Sequence, residues 1–134
     1  MGNAVTGTMD EQLKTLFDYT KFHIGMYTAL IAGIVGIFSV DSTKTLFLSM
    51  IPFLCVSAFL FLLSGMAAGL IASSIPYYKT FDAFMNAKIG PWNKTIFTAR
   101  TCTHIEHLLF WLGCTSAVGG FMYVMWRHDL ILKG

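Results

Sequence analysis

The chain has 134 residues, of which 55% are hydrophobic and 12% charged, against about 25% charged in soluble globular domains. Nine basic and seven acidic residues leave a net charge of +2, too weak a field to mark a nucleic-acid or other polyanionic partner. Together these figures exclude a soluble, charge-steered protein and make the lipid bilayer the main solvent of an all-α membrane bundle, read as one membrane domain over 1–134.

In chain order, Thr8 and Glu11 fit a capping box that starts a helix. In the arm 8–22, Met9, Leu13, Leu16, Phe17 and Tyr19 or Thr20 recur at helical spacing, with Glu11, Lys14, Asp18 and Lys21 on the other side. This predicts an amphipathic N-terminal helix. No basic n-region precedes a short apolar stretch in this arm, so no cleavable signal peptide is expected. Residues 23–40 carry no charge, and at 1.5 Å per residue they cover roughly 27 Å of the ~30 Å hydrocarbon core. With no Pro or turn cluster before it, the arm is expected to run straight into this first span.

Asp41, Ser42 and Thr43 stop the apolar run and predict a tight hairpin into a second, antiparallel span. That span, 46–75, is uncharged throughout and at roughly 45 Å outreaches the bilayer core. Pro52 is the expected kink and Pro76, with Tyr77, Tyr78 and Lys79, the interfacial end. In the connection 76–107, Phe81, Phe84, Met85 and Ile89 recur at helical spacing before Gly90 and Pro91, which predicts an interfacial helix. Residues 108–126 are again uncharged and end at Trp126 and Arg127, an aromatic and a cationic anchor for a third span.

Three spans place Lys14, Lys21, Lys79, Lys88, Lys94 and Arg100 on one side, against Lys44, Arg127 and Lys133 on the other. The excess predicts a cytoplasmic N-terminus, arm and connection. Asn93-Lys94-Thr95 is a glycosylation sequon, which on that side never meets its enzyme. The cysteines, Cys55, Cys102 and Cys114, have neither disulfide-framework nor zinc-cluster spacing.

Each span carries small residues four apart: Ala29 and Gly33 with Ala32 and Gly36, Gly65 and Gly69 with Ala68 and Ala72, Gly113 and Ala117 with Ser116 and Gly120. In lipid, close backbone approach through such stripes is a main source of helix association. The stripes pack one chain's helices together, or they build a homo-oligomer. Their number favours the oligomer. Ser57, Ser64, Ser73, Thr115 and Ser116 line a polar pore in such an assembly, or bond their own helix backbone.

His23, His104 and His107 share one predicted boundary with Glu106. They bind a metal there, hold a haem between the first and third spans, or are interfacial side chains with water or headgroup partners. No Asp, Glu, Lys or Arg lies within the predicted spans, which argues against ion-coupled transport. With no nucleophile elbow, phosphate loop or carboxylate pair, a non-enzymatic protein without cofactor is expected.

The word Leu16-Phe17-Asp18-Tyr19-Thr20-Lys21-Phe22-His23-Ile24-Gly25-Met26-Tyr27, an amphipathic arm entering a Gly-rich span and tight hairpin, resembles the start of small bacterial two-span membrane proteins. Some of these are antiphage effectors. The resemblance covers about the first 75 residues; the third span and the lack of a ligand-sensing domain depart from it. It implies a homo-oligomer that forms a pore or perturbs the inner membrane when a trigger, such as a partner protein, reaches its cytoplasmic parts. The alternatives are a haem- or metal-binding subunit of a redox complex, or an accessory subunit of a larger membrane complex.

Overall fold

The computed structural model describes residues 10–38, 44–90 and 97–133. Along these residues four α-helices follow in order: α1 Glu11–Phe38, α2 Lys44–Ser74, α3 Phe81–Met85 and α4 Ala99–Lys133. A 3-10 turn, Ile75–Tyr77, closes α2. The Thr8 cap, the 41–43 hairpin and the sequon at 93–95 lie outside the described residues.

Three helices are long and apolar enough to cross a membrane, within 11–37, 48–77 and 99–127. Their outer faces carry Val56, Phe59, Met66, Trp111, Val118 and Met122, each more than half exposed. Such a surface is costly in water and matched to lipid, where only the backbone needs internal partners and the helices supply them.

Arm and first span form one continuous helix, as the absence of a breaker predicts. Asp10 starts it: its carbonyl accepts from the Lys14 amide at 3.0 Å and its Oδ1 from the Gln12 amide at 3.3 Å. Its Oδ2 accepts from the Phe81 amide at 3.2 Å, so one carboxylate serves the first turns of both α1 and α3. Along the arm Leu13 and Thr20 are buried and Leu16 and Phe17 half-buried, while Glu11, Lys14, Asp18 and Lys21 are exposed. α2 runs unbroken through Pro52.

The buried residues of α2 and its closing turn are Leu54, Ser57, Phe61, Ser64, Ala68, Ile71, Ser74 and Ile75, and from Leu54 to Ile75 they alternate steps of three and four, with Ser74 beside the last. That is a 3.5-residue repeat, the seam of left-handed helix packing. α1 keeps the seven-residue stride with Leu13, Thr20, Tyr27 and Ile34. α4 keeps it with buried Ala99 and Glu106, then with Gly113 and Gly120, whose missing side chains make room for α2. A Cβ on Gly113 would sit 2.8 Å from Phe61 Cε1, and one on Gly120 would meet Cβ and Cγ of Phe53. Ser57 Oγ donates to the Gly113 carbonyl at 2.8 Å, Ser64 Oγ to that of Glu106 at 2.7 Å, and Ser116 Oγ to that of Phe53 at 3.1 Å. α2 is thus the central helix, antiparallel to both neighbours, and α1 and α4 run parallel.

The connection differs from its sequence reading. Of the predicted interfacial helix over 81–89, Phe81–Met85 is helical, and Phe84 and Ile89 are buried with Leu13, Ile71, Ile75, Ala99 and Cys102 instead of facing lipid. A short antiparallel bridge, Lys88 with Thr98, follows. The Ala99 amide donates to the Ala87 carbonyl at 2.9 Å, and Gly90 turns the chain with φ of 138°, a conformation that favours glycine. α4 therefore begins at Ala99, nine residues before the predicted start of the third span at 108. The backbone decides this. Polar residues such as Arg100, Thr103 and Glu106 read as loop, but a helix anchored by the 88–98 bridge carries them.

Candidate metal centre

The early start of α4 brings Glu106 into the seam. A span reading that opens at 108 contains no Asp, Glu, Lys or Arg before Arg127. The candidate span 99–127 contains Glu106, which is 3% exposed. A carboxylate so placed needs hydrogen-bond donors around it, because burial in low dielectric costs several kcal/mol per ion.

Two imidazoles meet it. His23, on the α1 seam between Thr20 and Tyr27, donates from Nδ1 to Glu106 Oε1 at 2.8 Å. Tyr27, one helical turn on, donates its hydroxyl to the same oxygen and lies 3.1 Å from His23 Nδ1. His107 Nδ1 lies 2.7 Å from Glu106 Oε2 and donates to the Thr103 carbonyl at 2.8 Å. Both neighbours of that nitrogen are acceptors, so it carries the proton. Its other nitrogen, Nε2, shares a hydrogen bond of 3.0 Å with the Tyr19 hydroxyl.

The surroundings are aromatic and closed on the bundle side. Phe61 of α2 and Phe110 of α4 stand within 6.4 Å of the Tyr27 ring, centroid to centroid. On the other side the Tyr19 ring lies 4.0 Å from the His23 ring and stacks on His107 at 5.9 Å. Ser64 fixes the backbone at Glu106 through its hydrogen bond to that carbonyl.

The ligand-capable atoms of His23, Glu106 and His107 all lie within 4.8 Å of one another. Two imidazoles and a carboxylate suit a divalent first-row transition ion. Cation binding would replace the imidazole protons that now face acceptors, which couples loading to proton release. His104 is exposed on the opposite face of α4, because two residues before Glu106 is about 200° round a 3.6-residue helix. The predicted quartet is therefore a trio with Tyr27 beside it.

The remaining sequence candidates lie elsewhere. Gly113 and Gly120 are spent on contacts within the chain, and a Cβ on Gly65 would meet Tyr27 at an ordinary 3.6 Å. At Gly33, Gly36 and Gly69 an added Cβ would meet nothing within 4 Å, and Ala29 is exposed. Ser57, Ser64 and Ser116 bond neighbouring helices, whereas Ser73 and Thr115 bond their own. Tyr27 and Ser64 join the site with no motif to announce them, and Tyr19 stands over it outside the ligand set. The one available signal is the spacing Tyr19, His23, Tyr27, four residues apart on one helix face.

Comparison with protein-family models, curated proteins and solved structures returned no match.

Proposed function

We propose that this chain is a membrane-embedded protein that binds one divalent transition-metal ion between α1 and α4. The observation that supports this reading is the convergence of buried His23 and Glu106 with half-buried His107 on one point in a largely apolar bundle. Helix bundles build their metal sites this way, from side chains on facing helices. A haem fits this arrangement less well. The His23 and His107 rings are 5.6 Å apart with Glu106 bonded between them, where the macrocycle would have to lie.

The test is equilibrium dialysis of the detergent-purified protein against Co(II), read by elemental analysis and visible absorption. One cobalt per chain is expected, lost in H23A, E106A and H107A and retained in H104A. Wild-type protein that takes up no cobalt sinks the reading.

A second reading, a homo-oligomer that forms a pore or perturbs the bilayer, is favoured by the outer face of α1. Gly25, Ala29, Ala32, Gly33 and Gly36 form an exposed stripe there, and a Cβ at each of its glycines meets nothing within 4 Å. Such a face lets a second copy's backbone approach closely. We further place the N-terminal ends of α1 and α4 on the cytoplasmic side of a bacterial inner membrane, from the excess of Lys and Arg at that end.

A further inference from the structure

The site has one side that the bundle does not close. Toward the bundle interior it is walled by Tyr27 and, behind it, Phe61, each 2% exposed. On the other side stands Tyr19, 43% exposed, whose hydroxyl occupies His107 Nε2 and whose ring lies against both imidazoles. Tyr19 also lines a shallow, open groove of about 630 Å³ along the first turns of α1, together with Glu11, Gln12, Thr15, Leu16 and Phe81. From Glu11 to Tyr19 the helix rises about 12 Å, so the groove leads from the Asp10 end of the bundle toward the imidazoles. Against a mostly apolar lining, the Glu11 carboxylate, the Gln12 amide and the Thr15 hydroxyl supply oxygen atoms that suit a cation still carrying water.

We propose that this groove is the entrance to the site, and that Tyr19 is its cover: a hydrated divalent cation enters from the Asp10 end and reaches His107 and His23 when the Tyr19 side chain swings away. The inference rests on the metal reading above. Tyr19 acts by position. Its hydroxyl holds the ring over the site through a single hydrogen bond, and rotation about χ1 of an exposed aromatic is all that opening requires. The cover sets how fast the ion arrives and leaves the number bound unchanged.

Stopped-flow absorption with Co(II), on the full chain in detergent, tests this. Y19A should load roughly tenfold faster than wild type, and Y19F, which keeps the ring but frees His107 Nε2, a fewfold faster. T15W, which fills the groove ahead of the site, should slow loading by a similar factor. All three should reach one cobalt per chain. Rates of Y19A and T15W equal to wild type, at unchanged stoichiometry, overturn the entrance and leave the metal site standing. Absence of cobalt from wild type as well as from the variants removes the metal reading, and the entrance with it. A variant that misfolds loses stoichiometry, and because Y19A and T15W must move the rate in opposite directions, general loosening cannot imitate the result.

Discussion

Glu106 accepts from His23 and Tyr27 at one oxygen and faces His107 with the other. In E106Q the amide keeps an acceptor for the first pair but turns an N–H₂ group toward the protonated Nδ1 of His107. His107 Nδ1 keeps the Thr103 carbonyl, but the buried glutamine N–H facing it is left without an acceptor, at a cost of about 1–3 kcal/mol. Thermal unfolding in detergent should show E106Q clearly destabilised. H104Q, on the exposed face, should stay within about 0.5 kcal/mol of wild type. Equal melting of E106Q and wild type would mean that the cluster carries no structural weight. Asp10 gives a second test at this scale: D10A removes the acceptor for the Gln12 and Phe81 amides and should cost about 0.5–2 kcal/mol in the same assay. His23, Glu106 and His107 are legible as a boundary group because residue type and predicted depth are local properties. That Tyr27 joins them and His104 does not depends on the rotational phase of α4, which a predicted start at 108 does not fix.

Helix contacts set the terms for the glycines. The Phe61 ring that faces Gly113 is packed between Tyr27 and Phe110, and the atoms facing Gly120 are Cβ and Cγ of Phe53, which rotation of the ring cannot move aside. G113L and G120L should therefore destabilise the bundle by about 1–3 kcal/mol through overpacking, while G69L, facing open space, should leave its melting unchanged. Comparable melting of all three variants would contradict the α2–α4 packing. Ser57 and Ser64 each give a hydrogen bond to α4, and S57A and S64A should each cost about 0.6 kcal/mol, the average for such bonds in membrane bundles. Sequence periodicity carries α1, whose arm has charges to mark its outer face. It cannot carry α2, where apolar residues occupy every face and the seven-residue seam leaves no contrast to read.

Across the molecule, α1 and α4 run parallel with α2 antiparallel between them, so the start of α1 and the end of α4 lie on opposite faces of the bundle. A phosphatase fused after Lys133 should be active in a bacterial periplasm and one fused before Asp10 inactive, if the Lys and Arg excess sets orientation. The reverse pattern would invert the assignment. For the oligomer reading, the mass in detergent by light scattering should fall to that of one chain in a G33L/G36L variant, and an unchanged mass would exclude the α1 stripe as the contact. The sequence by itself determined the helical class and the three long apolar helices, because bilayer thickness and backbone hydrogen bonding act on length and polarity alone. Only the tertiary structure decided that α4 starts at Ala99, that Gly113 and Gly120 are consumed inside the chain, and that Glu106 lies between two imidazoles. Each of those depends on how one helix is rotated and shifted against another, and in lipid that is fixed by steric fit and a few interhelical hydrogen bonds, which leave almost no mark on hydropathy.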